Sequence, residues 1–192
     1  MRKILVYILC FAFATVHGQS NLNTRLAEAA QSLTESNVVY DPSYFKIPYP
    51  NGDVPANSGV CTDVVIRAYR VVGIDLQKEV HEDMERHFDL YPDHWGLKKP
   101  DPNIDHRRVP NLMTFFLRHG RSLSLDNDPL EYLPGDIVCW DLGSGILHIG
   151  VVSSRRTRDA DRYMVVHNIG AGQVMEDVLF SNKIIGHYRY KG

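Results

Sequence analysis

Residues 136–153, DIVCWDLGSGILHIGVVS, contain two short β-rich runs separated by glycine and serine. The first run is Asp136 to Trp140 and the second is Leu147 to Ser153. Runs of this kind, rich in β-branched and aromatic residues and bounded by turn residues, are typical of strands. Three similar runs follow, at residues 163–167, 173–178 and 183–190. We therefore predict a β-sheet in the C-terminal part of the chain.

The preceding part of the chain shows helical spacing instead. Apolar side chains recur at intervals of three and four residues in four segments, 22–36, 61–72, 77–88 and 109–120. Two proline-rich stretches, 41–60 and 91–106, interrupt the pattern and predict loops. Because helices come first and strands second, the fold class is predicted to be α+β, with N-terminal helices packed on a C-terminal antiparallel sheet.

Composition limits the class of protein. The chain has 192 residues, of which 44% are hydrophobic and 23% charged, as in one ordinary globular domain. Its 21 lysines and arginines against 23 aspartates and glutamates give a formal net charge of -2 at pH 7. This balance provides no basic field to hold a nucleic-acid backbone. We therefore expect no nucleic-acid partner.

The first eighteen residues have the marks of a secretory signal peptide. Arg2 and Lys3 precede an almost unbroken apolar run, residues 4–16, which is shorter than the roughly 20 residues that a membrane-spanning helix needs. A retained single-span anchor is the alternative. We predict that residues 1–18 are removed and that residues 19–192 form a single exported domain, periplasmic or extracellular, monomeric and without stable membrane insertion. Because the removed segment carries two cations and no acid, the formal charge would change from -2 to -4.

Two cysteines remain in the mature domain, and their positions differ. Cys61 begins the second predicted helix, where the helix dipole and unpaired backbone N–H groups favour a thiolate. Cys139 lies inside a predicted strand and is expected to fill core volume. From the spacing alone, Cys61 is as well explained by structural packing or by a disulfide with Cys139.

Two histidines favour the reading of Cys61 as a nucleophile, since a reactive thiol needs a base and a polar group that orients the base. His148 opens a predicted strand, on one face with Gly150, which has no side chain to block a helix N-terminus. His167 closes the next run. If these strands are neighbours, both imidazoles lie on one face of the sheet. Taken alone, each histidine is more simply a surface or hydrogen-bonded structural residue.

Five segments make the chain similar to a known family. They are GVCTDVVIRAYRVVGIDLQKEVHEDM (59–84), NIDHRRVPNLMTFFLRHG (103–120), PGDIVCW (134–140), LHIGVVS (147–153) and VVHNIGAGQVMEDVLF (165–180). Together they resemble the bacterial family of domains of unknown function numbered 1287, over nearly the whole mature chain. That family is similar to the NlpC-type cell-wall cysteine peptidases and amidases. Their papain-like core places a cysteine at a helix N-terminus against a sheet that bears a histidine.

The resemblance implies roles for particular residues. Cys61 would be the nucleophile, His148 the general base and His167 the group that orients it. Asn168 is the alternative third group if the strand register is shifted by one. Tyr49 resembles an upstream tyrosine that such enzymes aim at the oxyanion, with a loop tyrosine packed on the core as the alternative.

Some positions depart from the NlpC pattern or have a simpler explanation. Val60 precedes the cysteine and Thr62 follows it, where those enzymes commonly have an acidic residue and a serine. Asp63 is expected to pair with Arg67 on the helix surface or to cap the helix. The Arg107–Arg108 pair could clamp a substrate carboxylate, but a solvated loop is the simpler reading.

Together these features predict an exported thiol hydrolase that cleaves an amide bond in peptidoglycan, as a stem-peptide endopeptidase or an amidase. Peptidoglycan or a muropeptide would be the substrate, and no metal or organic cofactor is required. His81 and His87 are six residues apart, which does not place two zinc ligands on one helix face. The alternatives are a papain-like acyltransferase or lipid-directed hydrolase, and a non-catalytic cell-wall binding module.

Overall fold

The computed structural model describes residues 12–159 and 161–192, with side chains described from residue 22 onward. Residues 1–11, which include most of the predicted signal peptide, lie outside this description, and the signal peptide stays a prediction. Within the described ranges, no helix is both long enough and apolar enough to cross a membrane.

Four α-helices lie in the described chain, and all four precede the strands of the main sheet. They are α1 (Ala12–Leu33), α2 (Cys61–Val71), α3 (Leu76–Arg86) and α4 (Val109–His119). Single turns of 3-10 helix occur at Phe88–Leu90 and Asp105–Arg107. All four predicted helices are present, and α2, α3 and α4 agree with their predicted ranges within two residues, whereas α1 begins ten residues earlier and ends three residues sooner than its apolar pattern indicated.

Eight strands form two sheets. They are β1 (Val39–Tyr40), β2 (Ser58–Gly59), β3 (Arg121–Ser122), β4 (Ile137–Asp141), β5 (Leu147–Arg156), β6 (Tyr163–His167), β7 (Val174–Glu176) and β8 (Lys183–Arg189). The main sheet has the order β3-β8-β4-β5-β6-β7 and every pairing in it is antiparallel. The short strands β1 and β2 pair in parallel. The α+β class with an antiparallel sheet is therefore confirmed.

The helices cover one face of the main sheet. Alternation in β5 sends Ile149 and Val151 into the core that also contains Cys61 of α2. The opposite face carries Val152 and Trp140, which belong to a second apolar cluster. Loop residues close that cluster, and the indole N–H of Trp140 donates to a carbonyl of the loop before β8 at 2.9 Å. Within the described ranges, the helices therefore lie on one side of the main sheet.

Gly150 has a different role from the one predicted. A Cβ at this position would lie 2.8 Å from Val165 Cγ1 and 3.2 Å from His167 Cβ, both on the neighbouring strand β6. The missing side chain therefore leaves room for β6 and not for a helix N-terminus. The prediction that the face of His148 turns toward the helix was wrong, because Ile149 and Val151 occupy the side on which α2 packs.

Candidate active site

Cys61 is the first residue of α2 and lies at the floor of a cleft of about 640 Å³. Gly59, two residues before Cys61, belongs to β2, and the side-chain amide of Asn168 donates to the Gly59 carbonyl at 3.2 Å. This bond ties the chain before the cysteine to the end of β6. Because α2 starts directly after a fixed strand, the thiol is held at the helix N-terminus and is 7% exposed.

Burial dominates the electrostatics of the thiol. It raises the pKa of Cys61 to about 11, and the charge of Asp63 acts in the same direction. Hydrogen bonds from the backbone N–H groups of Ile149, Thr62 and Cys61 itself act in the opposite direction. The expectation of a resting thiolate was therefore wrong: near neutral pH the group is a thiol, since desolvation outweighs the helix N-terminus.

A chain of three side chains begins at His148. His148 Nε2 lies 2.9 Å from His167 Nδ1, and His167 Nε2 lies 3.0 Å from Glu176 Oε2. The carboxylate accepts a hydrogen bond from His167 Nε2–H, so His167 Nδ1 accepts a hydrogen bond from His148 Nε2–H. This arrangement leaves the lone pair of His148 on Nδ1, which has no hydrogen-bond partner among the described residues. The relay thus selects the tautomer that a general base at Nδ1 requires.

Both imidazoles are buried and neutral at physiological pH. Burial lowers the pKa of His148 to about 4, and the neighbouring His167 contributes in the same direction. Burial also lowers the pKa of His167, against the opposing charge of Glu176. A neutral imidazole can take up a proton, so His148 has the protonation state of a base at pH 7.

The structure brings the thiol close to the strand that bears the base but does not bond the two side chains. One of the three backbone N–H groups at the Cys61 sulfur belongs to Ile149, the residue directly after His148. No hydrogen bond joins Cys61 to His148 or His167 in the part of the chain that the structure describes. His148 projects at the start of β5, toward the face opposite Ile149. Proton transfer between them requires Sγ and the imidazole to approach within hydrogen-bond distance.

Two other predicted residues lie elsewhere. Asn168 is not hydrogen-bonded to His148 in the described structure; its amide donates to the Gly59 carbonyl, and the side chain that hydrogen-bonds His148 is His167. Tyr49 packs edge-on against His81, with ring centroids 5.1 Å apart, and does not line the cleft. The tyrosine that does line it is Tyr40.

Tyr40 reaches the cleft through a pairing that the sequence pattern does not reveal. It lies in β1, opposite Gly59 of β2, and so stands beside the residues that lead into α2. Burial raises the pKa of Tyr40, and the Cys61 and Asp63 charges add to this effect. The hydroxyl therefore stays protonated and can donate a hydrogen bond into the cleft.

Asp63 is hydrogen-bonded to two residues that line the cleft, Val60 and Arg107. Its carboxylate accepts two hydrogen bonds from the Arg107 guanidinium, each 3.0 Å long, and one from the Val60 N–H at 2.7 Å. The pairing with Arg67 predicted from helical spacing was wrong, because Arg67 pairs with Asp53 at 3.0 Å. Both Asp63 and Arg107 are nearly inaccessible to solvent, so they form a buried ion pair that fixes the first turn of α2.

Replacing Asp63 by alanine is expected to destabilise the fold by about 3–5 kcal/mol, because it leaves a buried guanidinium without its anion. Urea unfolding of the variant measures this loss. The matched control is Glu82→Ala, which breaks an exposed ion pair with Lys78 and should cost less than about 1 kcal/mol. Equal losses in the two variants would contradict the structural role of the buried pair.

Alkylation of Cys61 by iodoacetamide is expected to accelerate about tenfold per pH unit between pH 7 and pH 10 without a plateau. The reason is that only the thiolate reacts, and its fraction keeps rising below a pKa of about 11. Mass spectrometry of digested protein follows the modified Cys61 peptide separately from the buried Cys139. A rate that is already constant above pH 6 would show a resting thiolate instead.

No group of three or more His, Cys, Asp or Glu side chains in the described ranges is arranged to hold a metal ion. Cys61 and Cys139 are both free thiols. The chemistry that the arrangement offers is that of a protonated thiol, a neutral base and donors to a developing oxyanion.

Comparisons with known proteins add family membership but no activity. A family model described as "Domain of unknown function (DUF1287)" matches residues 27–190. A protein of Escherichia coli (strain K12) described as "Uncharacterized protein YijF" is 53% identical over 172 residues, which are 90% of this chain and 83% of that protein. No solved structure matches the chain.

Proposed function

We propose a function for this chain, which belongs to the DUF1287 family: it is an exported thiol hydrolase that cleaves an amide bond in peptidoglycan. The observation that carries the proposal is the position of Cys61. Its sulfur lies at a helix N-terminus, on the floor of a cleft, with three backbone N–H groups directed at it. A nucleophile beside preorganised donors is the arrangement that acyl transfer requires.

The proposed reaction begins from the neutral thiol and the neutral imidazole. A substrate carbonyl enters the cleft, His148 Nδ1 takes the proton from Sγ, and the sulfur forms a bond to the carbonyl carbon. The negative charge moves to the carbonyl oxygen, where backbone N–H groups at the start of α2 and the Tyr40 hydroxyl stabilise it. Starting from neutral groups avoids the cost of holding a buried ion pair between turnovers.

The second half of the cycle returns the proton. The imidazolium of His148 protonates the leaving nitrogen as the C–N bond breaks, and the acyl group stays on Cys61 as a thioester. Water, deprotonated by His148, then attacks the thioester and releases a carboxylic acid and the free thiol. His167 donates no proton in this scheme; through Nδ1 it keeps His148 in one tautomer, and Glu176 keeps His167 in the matching one.

A papain-like arrangement accounts for these features. In such cores, a helix that begins with cysteine packs against an antiparallel sheet, and the base lies at the start of a strand of that sheet. Here α2 packs on β5, which begins one residue before His148. The order of elements, with the cysteine helix before the sheet strands, supports the same assignment.

Peptidoglycan is the proposed substrate because of the signal-like segment at residues 1–18 and the resemblance to cell-wall hydrolases. The cleft has the chemistry for a peptide: Tyr40 and Trp95 offer aromatic surface, and Arg108 provides positive charge. Stem peptides carry free carboxylates, which suit such a lining.

The test is digestion of purified peptidoglycan and isolated muropeptides, followed by mass spectrometry. We expect two products whose summed mass exceeds that of the substrate by one water, with the cut at the sugar–peptide amide or within the peptide. Transfer of the acyl group to another acceptor would appear as a product with the mass of that acceptor and would indicate an acyltransferase. No product from any of these substrates, together with an oxidised Cys61–Cys139 pair in thiol titration, would favour a binding module.

A further inference from the structure

Two neighbouring arginines in the loop before α4 have opposite environments. The Arg107 guanidinium is buried and already has hydrogen-bond acceptors: it donates to Asp63 and to the backbone carbonyl of Ser43, each at 3.0 Å. Arg108 is half-buried, and its guanidinium has no hydrogen-bond acceptor or ion-pair partner among the described residues. Burial lowers the pKa of Arg108, but the ordinary pKa of an arginine is so high that the guanidinium remains a cation at neutral pH. It is therefore a cation with free N–H donors, near the negative charges of Asp105 and Asp101 but hydrogen-bonded to neither in the described structure.

Arg108 is also held in a defined orientation. Its Cζ lies 4.0 Å from the centroid of the Trp95 ring, which places the guanidinium on the aromatic face. A stacked guanidinium keeps the N–H groups at its edge free for an acceptor in its own plane. Such an edge matches the two oxygens of a carboxylate.

The Arg108–Trp95 pair separates two cavities and lines both of them. One is the cleft that contains Cys61, and the other is a side pocket of about 250 Å³. The side pocket has apolar and aromatic walls that include Met84, Phe88 and Tyr91, together with the polar side chains of Asp89, Asp93 and Asn111. A substrate group bound to Arg108 would thus contact the thiol cleft and a side pocket of mixed polarity.

The charge of the cleft differs from that of the whole chain. The full sequence has a net charge of -2, yet none of the residues that line the cleft is acidic and two of them are arginines. A cleft with one sign of charge attracts ligands of the opposite sign. Since Arg107 is already paired with Asp63, Arg108 provides the charge that remains for a ligand.

We propose that the Arg108–Trp95 pair is a carboxylate-binding subsite, which holds a free carboxylate of the peptide whose amide carbonyl is presented to Cys61. This inference rests on the proposed function for the position of the scissile amide. The carboxylate is either the C-terminus of the stem peptide or the α-carboxylate of an isoglutamyl residue, which share the same chemistry.

Binding of three synthetic tripeptides to the full chain carrying Cys61→Ala tests the subsite by calorimetry. The peptides are L-Ala-γ-D-Glu-L-Lys with both carboxylates free, with the glutamate carboxylate amidated, and with the C-terminal carboxylate amidated. We expect one of the two amidations to weaken binding about tenfold to hundredfold, since a bidentate charge-assisted contact is lost. The amidated peptide that binds more weakly identifies which of the two carboxylates occupies the subsite.

Variants of Arg108 in the Cys61→Ala background show whether this residue causes the weaker binding of the amidated peptide. Arg108→Gln should abolish the preference for the free carboxylate, and Arg108→Lys, which keeps the charge but not the planar fork, should retain part of it. If Arg108→Gln melts at a markedly lower temperature than the parent, the affinities for the free and amidated peptides are compared in Arg108→Lys instead. The matched control is Arg121→Gln, an exposed residue of β3 outside both cavities, which should leave the preference unchanged.

Three results would overturn the subsite: equal affinity for all three peptides, a preference that survives Arg108→Gln, or no binding of the free peptide at millimolar concentration. The proposed function fails separately. A chain that binds the carboxylate through Arg108 yet releases no product from muropeptides would keep the subsite and refute the hydrolase.

Discussion

Replacing Cys61 by alanine is expected to lower the turnover of muropeptides by at least about 10⁴-fold. The alanine variant cannot form the thioester, and the donors that remain around the oxyanion do not supply a nucleophile. The fold should persist, since the change removes one atom from a side chain that reaches the cleft and leaves the backbone of α2 intact. The measurement is the initial rate of product formation by mass spectrometry, at matched protein concentration.

Cys139→Ala is the matched control for this loss, because it removes the same atom from the other cysteine of the domain. Cys139 is fully buried in β4 and does not line the cleft, so its loss should cost stability and leave the rate per folded molecule within a few-fold of the parent. Equal turnover by the parent and Cys61→Ala would remove Cys61 as the nucleophile. A loss of activity in Cys139→Ala with its melting temperature unchanged would indicate that the activity depends on Cys139 and would contradict the assignment of Cys61.

The regular elements were predictable because each has a periodicity that spans several residues. The stripe of apolar residues after Cys61 repeats at helical spacing, and the runs around His148 and His167 have β-rich composition between turn residues. By contrast, β1, β2 and β3 are two residues long each, which is too short for any period. Tyr40 was missed for this reason, since only the β1–β2 pairing brings it beside Gly59.

Pairings between distant residues explain the other differences between prediction and structure. Asp63 bonds Arg107, 44 positions away, and not its helical neighbour Arg67, because burial beside the loop offers a bidentate partner. Glu176 joins the histidine relay only because β7 folds back on β6. Spacing rules describe neighbours on one element and cannot report such contacts.

The protonation states at the site also depend on tertiary structure. Sequence position alone suggests that Cys61 is activated by the start of α2, yet burial raises its pKa above that of an ordinary thiol. The same burial lowers the pKa of His148 to about 4. With the thiol protonated and the imidazole neutral, the reaction would be limited by proton transfer during attack, so the base should matter nearly as much as the nucleophile.

Replacing His148 by alanine is expected to lower kcat/KM for muropeptides by about 10²–10⁴-fold, because general-base catalysis is lost while the thiol and the oxyanion donors remain. Added imidazole should restore part of the rate to this variant, since a small base can occupy the vacated space.

In the parent, kcat/KM should stay constant through neutral pH and fall as the pH drops through about 4, where His148 becomes protonated. The matched control is His87→Ala, a partly exposed histidine of α3's C-terminal end, which should change neither the rate nor the pH profile. A profile that instead falls above pH 8 would indicate a thiolate–imidazolium pair, and full activity of His148→Ala without imidazole would show that another group takes the proton from Cys61.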